Sequence, residues 1–262
     1  MTAGPMSPIC LLRMSALLLL LPPLAACGRG PGAPTALFGP LPELVMPGST
    51  DAPLAVRELL LVPEEKLIWD VHWKGLTVGR AELTVDGDQV HSRFRTGAVV
   101  STVTSIDHEL ATVLDRTGAR AASQHEALTV DGDARTIDAV FDGAGYRIAG
   151  QPAQAVQRGS VHTLHSALGA LRAWARPGAA PGFLTVLIAG EPVRLEVGEP
   201  VAESLQDHQA LRVDARATGG NALGGAGPII VKLWFRAGED RAPLRIELAT
   251  DEARVTAELL EE

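Results

Sequence analysis

Cysteine is almost missing from this chain of 262 residues: there are two, Cys10 and Cys27. No disulfide framework can therefore stand in for a hydrophobic core. Aromatics are scarce as well, at 4%, with a single Tyr and five Phe. That argues against a lipid-facing barrel, whose outer band is bordered by aromatic girdles. Basic residues are outnumbered, 23 Lys and Arg against 31 Asp and Glu, for a formal charge of -8. A field of that sign repels phosphate backbones and excludes nonspecific nucleic-acid binding. Several chemical signatures are lacking too. There is no Gly-x-Ser-x-Gly elbow. His108-Glu109 opens like a zinc-protease helix, but Thr112 stands where the second histidine belongs. Gly219-Gly220 through Gly224-Gly225-Ala226-Gly227 lacks the Lys-Ser/Thr of a phosphate loop and reads as a loop, conceivable as a lid. No cofactor or metal motif emerges, and the expectation is a protein that is not an enzyme.

What is present begins with a leader. Residues 1–26 carry one charged side chain, Arg13, then the apolar run Ala16 to Leu21 and Pro22-Pro23-Leu24-Ala25-Ala26. The run is too short to span a bilayer, which takes roughly 20 apolar residues, and its small-residue end fits a processing site. Leu24-Ala25-Ala26-Cys27 resembles the bacterial lipobox, which implies cleavage before Cys27, its acylation and a membrane anchor. Cys10 would leave with the leader, so the mature chain could form no internal disulfide, and its charge would fall to about -9 on loss of Arg13. Gly28 follows where Asp would favour inner-membrane retention in such lipoproteins, so the resemblance implies the outer membrane, facing the periplasm. Residues 27–62, rich in Gly, Pro and Ala, read as a tether, with Leu59 to Val62 able to pack against the domain as a short strand or helix. Residues 63–262 suffice for one core.

That remainder is dominated by period-2 alternation. Leu67, Trp69, Val71 and Trp73 face one way against Asp70, His72 and Lys74. From Leu76 to Val85 the apolar parity switches at Gly79, which predicts a bulge there. Asp86-Gly87 suits a hairpin turn, and Gln89 to Thr96 returns. Ala98 to Ile106 is ambiguous between helix and strand. Leu110 to Leu114 and Arg120 to Val130 read as strands. Leu-Thr-Val-Asp-Gly-Asp occurs at 83–88 and again at 128–133, which predicts the same hairpin solution twice. Arg135 to Phe141, Phe183 to Ala189, Val193 to Val197, Leu211 to Ala217, Ile229 to Phe235, Leu244 to Leu248 and Val255 to Leu259 complete the set. Only Ser160 to Arg176 breaks the pattern, with Val161, Leu164, Leu168, Leu171 and Ala175 at helical spacing. Ser160 is its expected N-cap, Arg172 and Arg176 suit its C-terminal dipole, and Pro177-Gly178 ends it. The fold expected is mainly β: a single antiparallel curled sheet, or barrel-like domain, with one helix at about 160–176.

His162 and His165 lie three apart and could share a metal with a third ligand; the simpler reading packs His165 at the sheet face and turns His162 to solvent. Trp69, Trp73, Trp174 and Trp234 are expected in the core. Arg241 is expected to pair with Asp240 or Glu239, and Pro243 to blunt a strand edge.

Several stretches together resemble the DUF3108 family of exported bacterial proteins, a domain of unknown function. They are Pro63-Glu64-Glu65-Lys66-Leu67 with Trp73-Lys74-Gly75 and Val78-Gly79; Val100 to Asp115 with Thr117-Gly118; His165-Ser166-Ala167-Leu168 with Leu171-Arg172; and Leu233-Trp234-Phe235 with Arg241 and Pro243. The resemblance covers about 64–260 and implies no catalytic residues. The leading functional expectation is a membrane-anchored cell-envelope lipoprotein whose noncatalytic β domain binds an apolar or amphipathic ligand. The alternative is a structural or assembly factor that holds another envelope protein, and a hydrolase comes third.

Overall fold

A computed structural model of the chain describes residues 51–261 apart from 118, 144, 157, 220–227 and 251–252. The leader, Cys27 and most of the glycine-rich loop lie outside the described residues.

Sixteen strands form one sheet: β1 (Lys66–Trp73), β2 (Leu76–Asp86), β3 (Gln89–Thr96), β4 (Ile106–Asp115), β5 (Arg120–Val130), β6 (Asp133–Phe141), β7 (Gly145–Ile148), β8 (Gln154–Ala155), β9 (Val161–His162), β10 (Gly182–Ile188), β11 (Glu191–Val197), β12 (Val201–Leu205), β13 (His208–Thr218), β14 (Ile229–Arg236), β15 (Pro243–Ala249) and β16 (Arg254–Leu259). A helix, α1 (Leu164–Trp174), follows β9. The strands run from β8 down to β1, then β16, β15, β14, β13, β11, β10 and β9, with β12 beside β13. Every pairing is antiparallel except β9 with β10. Among the described residues the sheet does not close, and it curls around α1. The strand residues that line a space beside the helix come from β1–β4 and from β10, β11 and β13–β16.

Alternation positions this core. In β4, Ile106, His108, Leu110, Thr112 and Leu114 are buried and the residues between them are not, as a sheet with one wet face requires. The parity switch in β2 is a bulge: Val71 faces Gly79 while His72 faces Thr77, which leaves Val78 as the extra residue. Glycine is needed at 79, because a Cβ there would lie 2.3 Å from the Arg95 carbonyl oxygen and 2.7 Å from the Phe94 ring.

Several expectations are corrected. The repeated hexapeptide is not one hairpin used twice. In the first copy Asp86 pairs with Gln89, so Gly87-Asp88 turns; in the second Val130 pairs with Asp133, so Asp131-Gly132 turns. The second turn is held from outside, since Asp131 accepts hydrogen bonds from the Ser105 N–H at 2.7 Å and the Thr104 hydroxyl at 3.2 Å. The first is held by Arg116, which pairs with Asp88 at 3.0 Å. The ambiguous stretch after β3 forms a short 3-10 turn at Val100–Thr102, and β4 starts at Ile106.

The helix begins later than Ser160, because Val161 and His162 are taken by β9. Its N-cap is Thr163: the Ser166 N–H donates to Thr163 Oγ1 at 3.1 Å and the Thr163 N–H donates to Ser166 Oγ at 2.9 Å, a capping box closed by serine. Nor is it amphipathic in effect, for buried residues lie on every side of it, Arg172 included, as expected of a helix enclosed by its sheet.

The end of the expected tether belongs to the fold. Leu54 donates its N–H to the Phe183 carbonyl at 2.8 Å, Leu60 donates to the Gly169 carbonyl at 3.0 Å, and Leu61 is buried. Among the described residues, those from Ala52 onward thus pack with the domain before Pro63. Leu59 to Val62 is neither strand nor helix.

Pro243 opens β15, an interior strand rather than an edge. It is tolerated as a first residue, and its carbonyl accepts the Trp69 indole N–H at 2.9 Å. Arg241 does not pair with Asp240 or Glu239. It donates to the carbonyls of Arg172 and Ala173 at 2.8 and 2.9 Å, satisfying last-turn acceptors that a helix end leaves open.

Candidate functional site

Between α1 and the curled sheet lies a cavity of about 260 Å³. Its lining is overwhelmingly apolar: Leu164 and Leu168 of the helix face Ile188, Leu195, Val231 and Ile246 of the far wall. All six are only partly buried. The volume sits near the lower end of small-molecule sites, which run from about 300 Å³ upward. Native cores are packed to crystal density. An empty apolar space of 260 Å³ would forfeit at most about 6 kcal/mol at roughly 24 cal/mol per Å³.

The wall formed by β3, β4 and β5 is different, since polar residues occupy core-facing positions there. Glu126 and His108 meet at 3.1 Å through Oε1 and Nε2, with side chains 7% and 3% exposed. Gln124 donates its Nε2 to the other Glu126 oxygen at 3.1 Å. A second string runs from the helix start. Thr112 donates to Thr163 Oγ1 at 3.2 Å, His165 Nδ1 meets Thr112 Oγ1 at 2.9 Å, and His165 Nε2 meets Ser92 Oγ at 2.8 Å. Since the Thr112 hydrogen goes to Thr163, Nδ1 carries the imidazole proton and Nε2 accepts from Ser92. Burial, then the charges of His91 and His108, push His165 down to about 3, so its ring is neutral near pH 7. Ser92, His108 and His165 all border the cavity.

Ser92 against a neutral imidazole is the hydroxyl–base contact that a nucleophile needs. Yet β3 has paired strands on both sides, so the backbone N–H groups around Ser92 are committed to the ladders. They are not free to receive an oxyanion.

The sequence-predicted residues are dispersed. His162 and His165 do not form a metal pair: His165 joins the Ser92–Thr112 string, and His162 is not solvent-facing but buried in β9, where desolvation lowers it to about 4. Among the described residues no cluster of three potential metal ligands occurs. His108 and Thr112, read in the sequence as a failed zinc motif, are neighbours on the inward face of β4. Trp69, Trp174 and Trp234 are buried, and Trp73 only in part; Trp69 also borders the cavity. Asp115 holds its own turn, accepting from Arg120 at 3.1 Å. The Glu126 and Gln124 partnership escaped the sequence reading, although both share the parity of buried Leu128. Polar residues on an otherwise apolar parity were the available signal.

A second concavity, about 390 Å³, lies on the outer face of β3–β7. It is lined by the exposed side chains of His91, Val113, His125 and Val140, which make it a surface dish rather than an enclosure.

No protein-family model matches the chain, and no curated protein matches it. Among solved structures it is similar to a β-barrel-like protein of domain of unknown function DUF1849 from Brucella abortus, at 13% identity and a TM-score of 0.54, over 79% of this chain and 98% of that one. A DUF1089 family protein from Pseudomonas aeruginosa is also similar, at 13% identity and a TM-score of 0.43, over 66% of this chain and 90% of that one. At such identity the first likeness is one of fold: this chain is a β-barrel-like domain, mainly β, with a single curled sheet around one helix.

Proposed function

We propose that the chain is a noncatalytic β domain of the cell envelope that holds an apolar or amphipathic molecule between α1 and the sheet. The observation that carries this reading is the apolar cavity itself, kept at a size that an optimised core would fill. The anchor belongs to the same proposal. Cleavage before Cys27, acylation of its thiol and tethering by residues 28–51 would hold the domain at a membrane, on this reading the outer one facing the periplasm. Membership of the DUF3108 family is likewise proposed, from the stretches that resemble it. The assembly-factor alternative loses ground to the cavity, which a surface that only grips another protein would not need.

The test is extraction of lipids from the purified protein, followed by mass spectrometry, with uptake of the fluorescent probe N-phenyl-1-naphthylamine measured in parallel. A stoichiometric apolar species and saturable uptake are expected, and Val231→Trp, which fills the cavity, should abolish both. Absence of any bound species together with no uptake would refute ligand carriage. For the anchor, the mass of the mature N-terminus should show acylated Cys27, and an unmodified N-terminus would refute it.

A further inference from the structure

One end of the sheet carries apolar side chains that the fold leaves uncovered. Leu76, Val99 and Val103 are the three most exposed large apolar residues among those described, at 66%, 84% and 65%, while none of the others exceeds 46%. All three sit where the chain reverses, Leu76 after the turn from β1 to β2 and the two valines around the 3-10 turn between β3 and β4. Antiparallel register brings these two connections to the same end: Gly79 pairs with Thr96, and the Gly97 N–H donates to the Val78 carbonyl at 2.8 Å. Trp73, the last residue of β1, is only partly buried, and Lys74 Nζ lies 4.7 Å from the centre of its ring. Charge also sets these connections apart. The chain has 31 acidic residues, yet 97–105 holds no ionisable side chain and 73–79 holds only Lys74. Acids at this end belong to other connections, among them Asp131, which accepts hydrogen bonds from Ser105 and Thr104, and Asp251 and Glu252, which lie outside the described residues. The cavity extends to the same end, because Ile188, Val193, Ala217, Ile229 and Leu248, which line it, lie at or close to the ends of β10, β11, β13, β14 and β15 there.

We propose that this end of the domain docks on a phospholipid bilayer, with Leu76, Val99 and Val103 entering the acyl region and Trp73 and Lys74 at the level of the head groups. A cluster of exposed apolar residues marks an interaction surface. Its chemistry fits lipid: Trp and Lys are the side chains that settle at a membrane interface, with an apolar body below and a polar tip in water. A bilayer with a negative surface potential repels carboxylates, and these two connections carry none. Side chains that project from separate turns also need no matching pockets in a fluid hydrocarbon phase, as they would in a protein partner. The docking surface stands on these observations without the ligand-carrying reading; where both hold, docking turns the cavity's end toward the lipid from which an apolar molecule would enter.

The experiment compares the two ends of one molecule on vesicles, so it does not depend on how the N-terminus is held. Leu76→Cys, Val99→Cys, Val103→Cys and Asp207→Cys are each placed singly in the full chain carrying Cys10→Ser and Cys27→Ser, and the thiol is labelled with the polarity-sensitive fluorophore NBD. Asp207 is exposed in the turn before His208, at the end of β13 opposite Thr218, and serves as the control. With phosphatidylcholine vesicles whose acyl chains are brominated, the labels at 76, 99 and 103 are expected to shift to the blue and to be quenched at least about twofold, the order expected of apolar residues that enter the interface. The label at 207 should do neither. Adding Leu76→Ser and Val103→Ser should relieve the quenching at 99, and a thermal melt checks that these exposed substitutions leave the fold intact. Quenching at the three tips no greater than at 207 overturns the proposal, and so does equal quenching at both ends; a patch that grips a protein instead gives the first of these results. Uptake of N-phenyl-1-naphthylamine is read separately, so ligand carriage and bilayer docking can fail independently.

Discussion

Removing Glu65 should cost the fold more than any single surface charge, because of what it leaves behind. Arg172 lies in the last turn of α1 with its side chain 0% exposed, and Glu65 is 9% exposed. The two make a two-pronged pair, Nη1 to Oε2 at 2.6 Å and Nη2 to Oε1 at 2.8 Å. Arg172 also donates to the Asp240 carbonyl. In Glu65→Ala the guanidinium stays buried with no counter-charge, and loss of one partner of such a pair costs about 3–5 kcal/mol. For a domain of this size that lowers Tm by roughly 6–20 °C. The pair itself is a different quantity, since two charges were desolvated to make it. Replacing both residues together, Glu65→Leu with Arg172→Met, should come within about 2 kcal/mol of the parent. Urea unfolding of the parent, both single variants and the double variant gives the full cycle. If Glu65→Ala costs less than about 1 kcal/mol, the pair is solvated in solution and the account of α1 as an enclosed helix is wrong.

Other consequences follow from the same geometry. Gly79→Ala puts a Cβ 2.3 Å from the Arg95 carbonyl oxygen, so the β2 bulge must shift, at about 1–3 kcal/mol; a thermal melt unchanged within 1 °C would refute the bulge. Arg241→Ala removes both donors to the last carbonyls of α1 and should cost about 1.5–3 kcal/mol, read from the urea midpoint, whereas an unchanged midpoint would mean water caps the helix equally well. Stability should also depend on pH through His162 and His165, which burial lowers to about 4 and about 3. The unfolded chain takes up protons on these rings below about 6.5 while the folded one does not. Stability is therefore complete above that pH and declines as pH falls toward those lower values, by up to about 1.4 kcal/mol per unit per histidine. His165→Asn should flatten the change in urea midpoint between pH 7 and pH 5, and an identical slope would contradict neutral burial.

The strands were readable in the sequence because their cause is local. Successive side chains leave a strand on opposite faces, so Leu67, Trp69 and Val71 declare β1 without reference to anything distant. The Gly79 bulge was readable for the same reason, as a slip in parity at a residue without Cβ. The polar cluster was not readable as a site. Ser92, His108, Thr112, Gln124, Glu126 and His165 come from three strands and a helix, and only the curl of the sheet brings them beside one another.

Identical residues also behaved differently. Leu-Thr-Val-Asp-Gly-Asp turns at Gly87-Asp88 in one copy and at Asp131-Gly132 in the other, because Arg116 holds the first and Ser105 with Thr104 holds the second. Either turn is available to that hexapeptide, and groups from other strands choose between them. Ser160 lost the helix start in the same way, when β9 recruited Val161 and His162 for pairing with β10.

Composition and period-2 patterning by themselves determined that this is a mainly β chain with one helix, built on a core rather than on disulfides, because those properties follow from side-chain alternation and residue counts. Tertiary structure alone decided that the helix is enclosed, that β1 pairs with the last strand, β16, and that a largely apolar cavity remains between helix and sheet. Those outcomes depend on how much volume the curled sheet encloses and which distant groups it brings within hydrogen-bonding reach, and no stretch of sequence contains either quantity.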